Sequence, residues 1–285
     1  MAGQQRLAWL PSAKGSVLIT SFRMYNAVPR VAQAWLALFE RVFADADVDV
    51  RIIEHGWPDP IDALWRDPEL CCAFMCGWPF VRSGGTMQAI AAPVPSPARY
   101  QGLPRYCSEF LVREASGWRT LQETFGHRFG WMADNSQSGF NAPRAHLAQF
   151  SAPQRPALYA EVHGPLGTPG KALEALHGGD VDVIALDSFF LDLCRYHEPV
   201  KLAGLRCVAT TPWTPIPLLV AAAGLDETVV ARLRRHLLDI DTQPSYAPLL
   251  ADVLLARFVA PDVMSYRELE SMARAASETG YEMIR

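Results

Sequence analysis

At 285 residues, half of them hydrophobic and a fifth charged, the chain is long enough for two ordinary domains and has the balance of a globular protein. A formal net charge of −4 excludes the basic excess expected of a nucleic-acid-binding protein, and no run of Lys or Arg supplies one locally. The longest apolar stretches, such as residues 216–225, are far too short to cross a bilayer, so no membrane insertion is expected.

In chain order, residues 17–24 (VLITSFRM) form a short β-rich apolar run that reads as a strand. Residues 29–43 carry apolar side chains at helical spacing behind a proline, whose missing N–H is harmless in a first turn. Strands are expected at 48–54, 71–75 and 87–92, with a short helix at 61–65 and a Pro-rich turn after 92. Strands at 106–113, 128–132, 158–162, 181–186, 205–210 and 216–222 then alternate with helices at 121–125, 139–150, 169–177 and 188–196. Residues 226–239, 247–258 and 266–278 read as three closing helices, the first capped by Asp226 with Glu227 in its first turn. Strands alternating with helices over so long a span imply parallel sheets with helices on their faces.

Residues 1–14 lack a basic start followed by an apolar core, so they do not read as a secretory signal. The sequence leaves open a cytoplasmic protein and one whose export signal lies outside this chain. Six cysteines are present, three of them, Cys71, Cys72 and Cys76, inside the apolar run LCCAFMCGWPF. Cysteine in such a setting packs as a small hydrophobe, a chain of this size needs no disulfide staples, and no further ligands follow at metal-site spacing.

The sharpest chemical signal is ADNSQSGFNA at 133–142, which follows a strand and opens a helix. Hydroxyls, a glycine and the free N–H groups of a first helical turn converge there, and the helix dipole favours negative charge. An ordinary N-cap by Ser136 or Ser138 is the competing reading. Cys76-Gly77-Trp78-Pro79 ends a buried strand with a residue that permits close approach and an aromatic wall, or is a turn with core aromatics. Asp187 stands at a strand's carboxyl end, where open α/β sheets bind ligands; it also suits the cap of the helix that follows. Enzyme templates are missing: no G-x-S-x-G, H-E-x-x-H, phosphate loop or G-x-G-x-x-G is present. Seven histidines are scattered, and nothing in the spacing singles out Ser138, His163 and Asp187 as a triad.

Taken in order, Ser21-Phe22-Arg23-Met24-Tyr25, Cys76-Gly77-Trp78-Pro79, Arg99-Tyr100-Gln101-Gly102, Tyr106-Cys107-Ser108, the run from Asp134 to Asn141, and Ile184-Ala185-Leu186-Asp187-Ser188 resemble the phosphate/phosphite/phosphonate substrate-binding proteins of ABC transporters. The resemblance covers roughly residues 16 to 222, and the order of the motifs is more specific than any one of them. It implies the type II periplasmic-binding-protein fold, an α/β architecture of two lobes, each a mainly parallel sheet flanked by helices. Two crossing strands, near 106–113 and 205–211, would join lobe one (16–107 plus 211–285) to lobe two (108–210). Tyr25, Gly77, Trp78 and Tyr106 would serve the ligand from lobe one; Ser136, Ser138, Gly139 and Asn141 would form an anion cradle in lobe two, and Asp187 would close the pocket. Relatives carry Gly-Ser-His after the strand that follows the cradle helix; here Gly167-Thr168-Pro169 keeps a hydroxyl and loses the imidazole.

The implied partners are a small phosphate-, phosphite- or phosphonate-type anion and an ABC permease, with no cofactor, metal or catalytic group. An ionised Asp187 facing inward would favour a ligand bearing a proton or an amine over a full dianion. Closure of the lobes on the ligand is the expected mechanism. A cytoplasmic sensor and a small-molecule enzyme derived from the same fold are the alternatives.

Overall fold

The computed structural model describes residues 17–285, so the reading of residues 1–14 lies outside the described residues. The first half of the chain runs β1 (Leu18–Ser21), α1 (Pro29–Asp45), β2 (Val50–Ile52), α2 (Ile61–Trp65), β3 (Leu70–Met75), α3 (Gly77–Arg82) and β4 (Met87–Pro95). There follow β5 (Arg105–Tyr106), β6 (Ser108–Arg113), β7 (Arg128–Gly130), a π-helical turn at Gln137–Asn141, and α4 (Ala142–Ala148). Then come β8 (Glu161–His163), α5 (Pro169–Gly178), β9 (Val183–Asp187), α6 (Ser188–His197), β10 (Leu205–Thr210) and β11 (Thr214–Pro215). The chain closes with β12 (Leu218–Ala222), α7 (Glu227–Leu237), α8 (Ala247–Asp252), β13 (Leu255–Val259) and α9 (Glu268–Glu278).

Two sheets organise these elements. One has six strands in the order β13-β4-β12-β3-β1-β2, the other five in the order β10-β6-β9-β7-β8. Both are mixed: β2-β1-β3 and β9-β7-β8 pair in parallel, as βαβ crossovers require, whereas strands arriving from the other lobe run antiparallel. Strand β3 lies inside its sheet with helices on both faces, and every one of its residues is buried. That placement explains its unbroken apolar run and the burial of Cys71 and Cys72.

The chain passes between the sheets twice. Strand β5 leads out of the first lobe into β6, and β11 brings the chain back from β10 to β12; β5 and β11 pair antiparallel, Tyr106 opposite Thr214. Arg99 braces this crossing with bonds to Glu109 (2.7 Å), Asp192 (2.8 Å) and the Ser188 carbonyl (2.7 Å). One core cluster is continuous across the lobes, from Trp35 and Phe74 on one side to Ile184 and Phe189 on the other.

Several elements differ from the sequence expectation. Residues 247–258 were expected as one helix but split into α8 and β13. Leu254 adopts a left-handed backbone (φ 53°), and Leu255–Val259 then completes the sheet edge beside β4. Helical and strand periods both fit so short an apolar run, and the unpaired edge of β4 decides between them. Cys76-Gly77-Trp78-Pro79, for which a turn was the competing reading, opens α3, and 121–125 shrinks to a 3-10 turn at Gln122–Thr124. The end of the chain also departs from lobe one: Ala276, Tyr281 and Ile284 enter the core of lobe two. There Arg144 of α4 donates to the carbonyls of Ala273 (3.1 Å), Tyr281 (3.2 Å) and Glu282 (3.1 Å).

Candidate functional site

Between the lobes lies a cleft of about 670 Å³. Lobe one contributes Arg23 and Met24 after β1, the Gly56–Asp62 approach to α2, and Cys76 at the end of β3. Lobe two contributes residues 132–136 and Ser138, the loop into α5, and Asp187 with Phe190.

The helix start at 136–141 is built as its sequence suggested. Ser136 has an extended backbone and its Oγ accepts the Gly139 N–H at 2.9 Å, so the ordinary capping reading holds. A hydroxyl that accepts a cap bond still has its own proton to donate, so capping does not exclude a ligand contact. Ser138 differs: its N–H meets no main-chain acceptor among the described residues, and its side chain lines the cleft beside Tyr106. The Tyr106 hydroxyl is wholly buried and has no hydrogen-bond partner among the described residues. Burial holds its proton on, well above the ordinary phenol range. Thr168 repeats the Ser136 arrangement at α5, its Oγ1 accepting the Lys171 N–H at 3.2 Å.

Asp187 caps the helix that follows it and also meets the other lobe. Its Oδ1 accepts the N–H groups of Phe189 (2.7 Å) and Phe190 (3.0 Å), capping α6, and its Oδ2 accepts the Tyr25 hydroxyl at 3.1 Å. Burial pushes its carboxyl up to about 7, against the opposing pull of those three donors. Tyr25 itself is buried edge-on against Phe74 and Phe189, with ring centroids 5.1 Å away in each case.

Six of the ten sequence-derived residues therefore gather at or just behind the cleft wall: Tyr25, Tyr106, Ser136, Ser138, Thr168 and Asp187. The other four are placed elsewhere. Gly77 packs against α9, where a Cβ would come within 2.5 Å of Leu269 and 2.7 Å of Tyr266. Trp78 lies under the Arg82 guanidinium, 5.3 Å from its ring centroid. Gly139 backs onto Met132, and Asn141 turns inward to Gln137 (2.8 Å) and Arg144 (3.3 Å).

The structure adds residues that sequence reading missed. Asn135 donates to Asp62 across the cleft at 2.7 Å. Trp57 covers Gly167, whose left-handed backbone (φ 88°) and missing side chain admit the indole; a Cβ there would lie 2.6 Å from it. Lys171 sits 4.5 Å from the centroid of the same ring. Arg23 is held by His55 Nδ1 (2.7 Å) and the Asp59 carbonyl (2.6 Å), and burial draws its affinity for protons below the usual arginine range. The Asn in ADNSQSG and the tryptophan in GWPDP were the only sequence signals for these contacts, and neither declares its partner. Arg23 faces Asp59, Asp62, Asp134 and Asp187 around the same cleft. Net charge thus gives a compact dianion no advantage here.

Two α/β lobes, two crossing segments and a cleft between them define the type II periplasmic-binding-protein fold. Similar architectures are known at low sequence identity. The binding-protein component of an ABC phosphonate transporter from Pseudomonas aeruginosa shares 17% identity over 92% of this chain and 88% of its own, at a TM-score of 0.77. PhnD1 from Prochlorococcus marinus in complex with methylphosphonate shares 19% over 92% and 98%, at 0.74. XAC2383 from Xanthomonas citri bound to ATP shares 20% over 93% and 98%, at 0.64. No curated protein sequence matches the chain. Residues 66–266 match the family described as ABC transporter, phosphonate, periplasmic substrate-binding protein, and the chain belongs to that family of solute-binding proteins. Among the described residues no helix is long and apolar enough to cross a membrane.

Proposed function

We propose that this protein binds a small phosphonate- or phosphate-like anion in the interlobe cleft and delivers it to an ABC permease. The observation that carries the reading is the pair Ser138 and Tyr106: among the described residues the Ser138 N–H has no main-chain acceptor, and the buried Tyr106 phenol has no nearer polar company than the Ser138 hydroxyl beside it. Oxyanions are the ligands that accept from several such donors at once. The hydroxyls of Ser136 and Thr168, already oriented by their caps, add donors from two helix starts. Asp187 in its protonated form is a further donor; ionised, it repels the anion. Of the two forms, the protonated one is therefore the binding form.

Calorimetric titration with methylphosphonate, phosphate, phosphite and sulfate tests this. Saturable one-to-one binding is expected for at least one phosphorus oxyanion. In a thermal-shift experiment, ligand at a hundred times its dissociation constant adds about 2.7 kcal/mol of stability. No heat and no shift with any phosphorus oxyanion would overturn the proposal.

A further inference from the structure

The cleft is roomy although the lobes already touch. Tyr25 meets Asp187 at the floor (3.1 Å), Asn135 meets Asp62 at one side (2.7 Å), and Trp57 rests on Gly167. The core, too, is continuous from one lobe to the other. The space is therefore not the gape of an open form, and further closure has little room to consume it. Yet about 670 Å³ remains between these contacts, room for about twenty waters at ~30 Å³ each. Methylphosphonate would displace only a few of them.

Between its charged and polar groups, Arg23, Asp59, Asp62, Asp134 and Asn135 among them, the wall carries a large apolar share: Met24, Ile61, Trp65, Met132 and Phe190, with Pro58 and Pro165. Water against such a surface makes few hydrogen bonds, and an organic group that replaces it gains the burial of both surfaces. Methionines at two of these positions can adapt to the shape of a ligand, and the proline rings keep their stretches of wall stiff.

We infer that the occupant is a phosphonate carrying an apolar organic body of about ring size, with its head at Ser138 and its body against the Ile61, Trp65, Met132 and Phe190 wall. The inference rests on the cleft-binding proposal above and goes beyond it by naming the ligand's second half. It predicts selection for the substituent on phosphorus, and a bare oxyanion would fill only the polar end.

Calorimetry with methyl-, butyl- and phenylphosphonate on the unmodified protein tests it. Phenylphosphonate is expected to bind at least tenfold more tightly than methylphosphonate, with butylphosphonate between them. Ile61→Trp, which fills the apolar end from a half-buried position, should weaken phenylphosphonate at least tenfold and leave methylphosphonate within about threefold, a difference of roughly 0.7 kcal/mol. Methylphosphonate binding as tightly as phenylphosphonate overturns the inference and leaves the cleft proposal standing. Binding of none of the three removes both. The ligand series on the unmodified protein is decisive by itself if the variant fails to fold.

Discussion

At the floor of the cleft, Tyr25 and Asp187 join the lobes under nearly complete burial, whereas at the side Asp62 and Asn135 join them in partial exposure. The same kind of contact has different consequences in the two places. Burial raises the carboxyl of Asp187 to about 7, so the floor contact changes character within the physiological pH range. Water competes for the Asp62–Asn135 bond, which contributes accordingly less. Under the proposed function the floor discriminates among ligands by charge and proton, and the side adjusts how readily the lobes stay together.

The largest effect should come from Ser138. Ser138→Ala removes a hydroxyl that caps no helix, so it is expected to weaken phosphonate binding by about 1.5–3 kcal/mol, the range for a hydrogen bond to a charged group, with little change in melting temperature. Calorimetry and thermal unfolding on the same variant check both halves; a large loss of stability would reassign Ser138 to the fold. Next is pH. With the Asp187 carboxyl at about 7, the binding form predominates below that pH and declines above it. Affinity for methylphosphonate should therefore fall about tenfold from pH 6 to pH 8, one pH unit above the midpoint, and Asp187→Asn should flatten the profile. In the ligand-free protein the same raised carboxyl makes stability greatest below the ordinary Asp value, declining as pH rises to about 7.

Ser136→Ala sharpens the contrast within the helix start. Its hydroxyl caps the Gly139 N–H, so stability should drop by about 1 kcal/mol along with affinity, and Ser138→Ala should show only the second effect. Equal melting temperatures for the two variants would break that distinction. Asn135→Ala is expected to give the smallest change, about 0.5–1 kcal/mol in affinity, the same for every ligand. A change in ligand preference would place Asn135 on the ligand itself.

Much of this was legible in the sequence. The alternation of apolar strands and helices gave sheets with helices on their faces, the family resemblance gave the two lobes, and ADNSQSG marked a helix start where hydroxyls converge, with the N-cap that Ser136 does form as its competing reading. Local signals failed where a distant partner decides the outcome. Residues 255–259 become a strand only because β4 offers an edge. Gly77 is a glycine because α9 packs on it, and Asn141 turns to Gln137 and Arg144 because the final residues seal lobe two. The contacts of Trp57 with Gly167 and of Asp62 with Asn135 span more than seventy residues of chain, a distance over which no periodicity carries information.

The most direct test is a crystal structure grown with methylphosphonate. The account requires tetrahedral density between the lobes, within hydrogen-bonding distance of the Ser138 N–H and hydroxyl and facing the Tyr106 phenol. Density on the outer surface, or at the opposite side of the cleft near Asp59 and Asp134 with Ser138 left solvated, would contradict it.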